Sequence, residues 1–162
     1  MEECEDYFLV SEPSNTWIYL LKQARNLPDI FAEVDSSHLG HFAGLSLETT
    51  NIALSLKIYQ ALGYVVMMGD EKSGFVQLSV PDENAPGIAL MKANSCPHLF
   101  FNPSLTYFNG KKRNPKIIQH LGELKVPLVE EITHFNQEGL VDNVLIRDPG
   151  GLGIFVFNDG KD

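Results

Sequence analysis

The feature that most constrains this chain is an internal repeat, because a repeated unit of this size fixes how many elements must share one core. GLSLETTN, from Gly44, and SLTYFNGK, from Ser104, are both short alternating strands leading through polar residues toward a helix. Residues 52–62 set Ile52, Leu56 and Tyr59 at helical spacing and stop at Gly63. Residues 114–126 do the same with Ile117, Leu121 and Leu124, and carry Pro115 in the first turn. FVQLSVPDENAPGIALM, from Phe75, then parallels NVLIRDPGGLGIFVF, from Asn143: each is strand, proline turn, Gly-Ile, strand. With 64–70 and 128–135 as intervening strands, each half runs strand, helix, strand, strand, strand. One half leaves a sheet face uncovered, so two halves must pack together or curve around a shared cleft. The expectation is an α+β fold over residues 41–158, with two βαβββ modules (about 41–94 and 101–158) forming a curved mixed sheet around a cleft.

The first forty residues stand outside the repeat. SNTWIYLLKQARN starts with helix-capping residues and sets Trp17, Leu20, Leu21 and Ala24 on one side, and PDIFAEV offers a second short helix with Pro28 in its first turn. Residues 1–40 are therefore predicted to be an N-terminal helical extension whose apolar side covers an outer surface, a cleft or a partner chain.

Charge and cysteine usage exclude several classes of function. A net charge of −9 with three arginines argues against nucleic acid, which needs clustered Lys and Arg. The cluster Lys111-Lys112-Arg113 precedes a helix start and reads as a solvated loop. No run of about 18 apolar residues predicts a membrane span, and MEECEDYFLV opens with acids where a leader would be basic, so a cytoplasmic location is expected. Cys4 and Cys96 form no CxxC pair and read as free thiols.

Taken together, GLSLETT, the helix ending IYQALGY and RDPGGLGIFVF resemble the vicinal oxygen chelate superfamily, which includes glyoxalase I, extradiol dioxygenases and bleomycin-resistance proteins. The resemblance spans residues 42–158. It implies a ring of His and Glu metal ligands, one near the start of each module's first strand and one within each module's last strand. Carried over by motif, those places fall on Phe42, Ala89, Asn102 and Phe155. None is a ligand of the expected type, except Asn102 as a weak oxygen donor. No metal and no cofactor are therefore expected, and a divalent metal would require a site rebuilt from other residues.

Strand parity orders the remaining side chains. Ala43, Leu45 and Leu47 form a row suited to the helix side, which would turn Phe42, Ser46 and Glu48 toward the cleft and His41 outward. By the same rule Phe75, Gln77 and Ser79 face the cleft, as do Asn143, Leu145 and Arg147. The predicted ligand-binding cleft comprises Phe42, Ser46, Gln77, Met91, Thr106, Asn143, Arg147, Phe155 and Phe157, apolar walls with a few orienting groups. Arg147 requires a partner there, either Glu48 or Glu131 from within or an anionic ligand from outside.

His134 and Glu48 are the acid-base candidates, with a lone strand histidine more often structural. Cys96 and His98, in NSCPHLFF, have the residue types of a nucleophile and base, but two residues apart on an extended chain they share a face without having to touch. His120 falls on the second helix and reads as surface. The leading expectation is a small-molecule binding protein of the glyoxalase/bleomycin-resistance type for an organic, aromatic and anionic ligand, assembled as a homodimer. A glyoxalase-like lyase, isomerase or dioxygenase with a metal-free or rebuilt site is the alternative, followed by a non-catalytic interaction module with a filled cleft.

Overall fold

The computed structural model describes residues 1–23, 37–81, 86–133 and 135–160. Its N-terminal part is a sheet. Strands β1 (Glu2–Glu3), β2 (Tyr7–Ser11) and β3 (Trp17–Leu21) pair antiparallel in the order β1-β2-β3, with Leu9 opposite Tyr19 and Val10 opposite Ile18. The predicted first helix is thus corrected to a hairpin. Trp17, Ile18 and Tyr19 are strand formers, and the EPSNT segment supplies the turn, with Asn15 at φ 65° donating its N–H to the Glu12 carbonyl. Ile18 and Leu20 are half-buried while Trp17, Tyr19 and Leu21 are exposed, a two-residue period in place of a helical one. The second predicted helix lies outside the described residues.

The rest forms one eight-stranded mixed sheet flanked by two helices. Its elements are β4 (His41–Thr49), α1 (Ile52–Ala61), β5 (Val65–Asp70), β6 (Phe75–Ser79), β7 (Gly87–Lys92), β8 (Ser104–Asn109), α2 (Asn114–Glu123), β9 (Leu128–Ile132), β10 (Asn143–Arg147) and β11 (Gly153–Asn158). The spatial order is β5-β6-β7-β4-β8-β11-β10-β9. β4 runs parallel to β7, β8 runs parallel to β11, and β4 and β8 meet antiparallel at the centre. Each half is therefore strand, helix and three strands, and a single strand pair joins the halves.

The helices cover one side of the sheet. Asn51 caps α1 by accepting the Leu54 N–H at 3.0 Å, and Gly63 follows the helix at φ 94°. Beneath α1 lie Leu47, Ile52, Tyr59, Val76, Leu78, Ile88 and Leu90, with Ile18 of β3 packed against them. Beneath α2 lie Ile117, Leu121, Val144, Ile146 and Val156. Burying these alternate residues leaves the opposite parity of each strand to line the other face.

The N-terminal hairpin is tied to the sheet by polar contacts as well as by Ile18. Thr50 donates its hydroxyl to the Pro13 carbonyl at 3.2 Å, and the Asn102 amide donates to the Ser14 carbonyl at 2.6 Å.

Candidate functional site

The face away from the helices encloses a cavity of about 740 Å³, within the range of small-molecule sites. Its floor is the strand parity left over by the cores: Ser46, Gln77, Ala89, Met91, Thr106, Phe108, Asn143, Phe155 and Phe157 all line it. The central seam crosses this floor, where the Ser46 and Thr106 hydroxyls hydrogen-bond at 2.7 Å. Asn143 is buried and committed, accepting the Asn158 N–H at 2.7 Å and donating to Asp142 Oδ1 at 2.6 Å.

One wall is aromatic. Phe155 and Phe157 stack with centroids 5.2 Å apart and planes 8° from parallel, Phe100 lies 5.3 Å from Phe155, and Phe135 meets Phe157 edge-on at 5.9 Å. The segment between β7 and β8 brings the His98 ring 5.0 Å from Phe155 and 5.7 Å from Phe157. Cys96 stands beside it, with Sγ 3.1 Å from His98 Nε2 and 3.4 Å from Nδ1. His98 Nδ1 is 2.9 Å from the Leu99 carbonyl oxygen, and the Leu99 N–H donates to Glu130 Oε2 at 2.7 Å. Burial pushes the Cys96 thiol above its ordinary range; the charges of Glu48 and Glu130 add to the rise, and a hydrogen bond with the His98 backbone opposes it.

Two of the sequence-derived cleft residues stand elsewhere. A β-bulge between Phe42 and Gly44 shifts the register, so that His41 lies opposite Phe108, Phe42 opposite Tyr107 and Gly44 opposite Thr106. Opposed residues share a face and Phe108 lines the cavity, so His41 takes the cavity side of the sheet and Phe42 the other. The Phe42 ring packs on Tyr107 at 5.3 Å, while Ala43, expected on the helix side, lines the cavity. Strict alternation had ignored the inserted residue. Arg147 also stays out of the cavity: it is exposed, donates from Nε to the Gly151 carbonyl at 3.0 Å and lies over the Phe101 ring at 4.8 Å. Its partners are the Asp-Pro-Gly-Gly turn and an aromatic face, in place of Glu48 or Glu131.

The acid-base candidates do not meet in the cavity. Glu48 is half-buried outside its lining, on a backbone clasped by Asn102, and His134 lies outside the described residues. Phe75, which parity turned toward the cleft, lines the cavity as well, and several lining residues escaped the sequence reading, among them Phe108, Lys111, Phe135 and Asn136. Lys111 was read as solvated loop because nothing local marks a lysine after a strand as facing back over it. Contact between Cys96 and His98 depends on the bend at Pro97.

The four places that the resemblance assigns to metal ligands bring together no ligand set in this structure. Phe155 is 1% exposed and wedged among rings, Ala89 offers no donor, and Phe42 faces away. Asn102 has spent its amide: Oδ1 accepts the Glu48 N–H at 3.2 Å and Nδ2 donates to the carbonyls of Ser14 and Glu48. Among the described residues no group of three or more His, Cys, Asp or Glu side chains could hold a metal ion. Nor is any helix among them long and apolar enough to cross a membrane.

The sequence matches no protein-family profile and no curated protein. Solved structures do match. A variant of homoprotocatechuate 2,3-dioxygenase from B. fuscum is 15% identical with a TM-score of 0.53, covering 97% of this chain and 45% of its own. A second variant of that enzyme is 15% identical with a TM-score of 0.53, covering 99% of this chain and 46% of its own. A glyoxalase/bleomycin resistance protein/dioxygenase superfamily member from Vibrio splendidus 12B01 is 15% identical with a TM-score of 0.44, over 69% of this chain and 93% of that one. This chain spans about half the length of the dioxygenase, and with two strand-helix-strand-strand-strand halves on one mixed sheet it has the vicinal oxygen chelate fold.

Proposed function

We propose that this chain is a binding protein for a small organic molecule with a planar aromatic or apolar body, taken up without a metal in the cleft of the sheet. The observation that carries this reading is Phe155. At the place where the resemblance would put a metal-binding carboxylate, this chain stacks a ring on Phe157 at the floor of a cavity of about 740 Å³. The half-buried Phe157 ring, backed by Phe155, and the Met91 thioether offer adaptable apolar contact, and Gln77, Ser46 and Thr106 add hydroxyl and amide groups that orient a ligand. An anionic end would meet Lys111, the one lysine or arginine among the described lining residues. The open cavity counts against the interaction-module alternative, which requires a filled cleft. A homodimer is also proposed, because Trp17, Tyr19 and Leu21 present an exposed apolar row on β3.

A thermal-shift screen of aromatic acids and neutral aromatic compounds tests the binding reading. A ligand at a hundred times its dissociation constant should stabilise the protein by about 2.7 kcal/mol, a rise of several degrees in Tm. Phe157→Ala should reduce that rise. No shift with any compound of either class would refute the reading.

A further inference from the structure

We propose that Cys96 is a site of covalent capture for apolar electrophiles of the α,β-unsaturated carbonyl class, with His98 as its base. This inference rests on the reading of the cavity as an organic-ligand pocket and assigns that pocket a reaction. Both residues line the cavity, and their relation is that of a nucleophile, a base and a group orienting the base. The Leu99 carbonyl oxygen, 2.9 Å from His98 Nδ1, can only accept, so Nδ1 carries the proton in the neutral ring. Nε2 is then the basic nitrogen; Cys96 Sγ lies over the same ring, 3.1 Å from Nε2 and 3.4 Å from Nδ1, so a turn of the thiol side chain brings S–H onto the Nε2 lone pair. Two further features hold the ring: Glu130 anchors the Leu99 peptide through its N–H, and Phe135, Phe155 and Phe157 pack around the imidazole at 5.0–5.8 Å.

The half-buried thiol, its pKa raised, rests protonated, so the nucleophile forms only as the proton leaves. In the addition, Sγ–H gives its proton to Nε2 and the sulfur electron pair forms a bond to the β-carbon of the electrophile. The C=C π pair moves toward the carbonyl as an enolate, and Nε2–H returns the proton to the α-carbon. One thioether forms, nothing leaves and no oxidant or reductant takes part. A planar conjugated body suits the half-buried Phe157 ring, which lies 5.7 Å from the His98 ring.

The full chain treated with 4-phenyl-3-buten-2-one and followed by intact mass and peptide mapping tests this, with Cys4 as a second free thiol for internal reference. The expected result is a single adduct on Cys96, more than about tenfold faster than on Cys4, with a rate that saturates in probe concentration. The saturated analogue 4-phenylbutan-2-one should compete. His98→Phe, which keeps a ring in the aromatic wall, should slow addition at saturating probe about a hundredfold near neutral pH. His98→Gln serves if the phenylalanine variant melts early. Addition to Cys96 no faster than to Cys4, or equally fast in a folded His98 variant, overturns the capture site. If the saturated analogue still stabilises the protein, capture alone has failed; if it neither stabilises nor competes, the binding reading has failed with it.

Discussion

At position 147, where strand parity suggests a cleft residue, the chain places a cation on a turn, and at position 111, which reads as solvated loop, it places one on the cavity. Arg147 is held by a carbonyl and the face of Phe101, so its charge is spent stabilising RDPGG. Arg147→Met should leave ligand affinity unchanged. Lys111→Met should weaken anionic ligands by about 1 kcal/mol or less, because an exposed charge at a rim is screened by solvent, and should leave neutral analogues alone. Isothermal titration of a matched acid and amide pair on the two variants measures both effects. Equal loss for acid and amide on Lys111→Met would show that the lysine contributes only its stem.

At the scale of elements, the bulge in β4 decides which side chains reach the cleft. It is built on Gly44 at φ 130°, where an added Cβ would fall 1.9 Å from the Gly87 carbonyl oxygen of the neighbouring strand. Gly44→Ala should destabilise the protein by about 2–4 kcal/mol in urea denaturation, through strain and a lost close approach to β7. The strand-helix-strand-strand-strand order was legible in the sequence because GLSLETT, Pro115 and Gly63 are local signals. The bulge was not legible, because what requires a glycine at 44 is the carbonyl of residue 87, brought there only by folding. The N-terminal hairpin was misread for the opposite reason: the sequence offers Ser14, Asn15 and Thr16 equally as a helix cap and as a turn, and pairing of β3 with β2 decided between them. Phe155 and Phe157 could be placed by parity because β11 alternates without interruption against β8. Cys96 and His98 could not, since parity says nothing of a bent segment between strands.

For the whole molecule, the exposed row Trp17, Tyr19 and Leu21 on a chain of net charge −9 sets an apolar strip in an acidic surface. Light scattering at tens of micromolar should return twice the chain mass, and Trp17→Lys with Tyr19→Lys should return it to the single-chain value. A single-chain mass for the unaltered protein would remove the dimer. Within the sheet the two halves pair along β4 and β8, and the Ser46 to Thr106 hydrogen bond of that seam lies on the cavity floor. A molecule resting there touches both modules at once and so acts as a rivet between them. Its binding energy would appear as cohesion between the halves, and two fragments cut in the segment joining β7 to β8 would reassemble more tightly in its presence than without it.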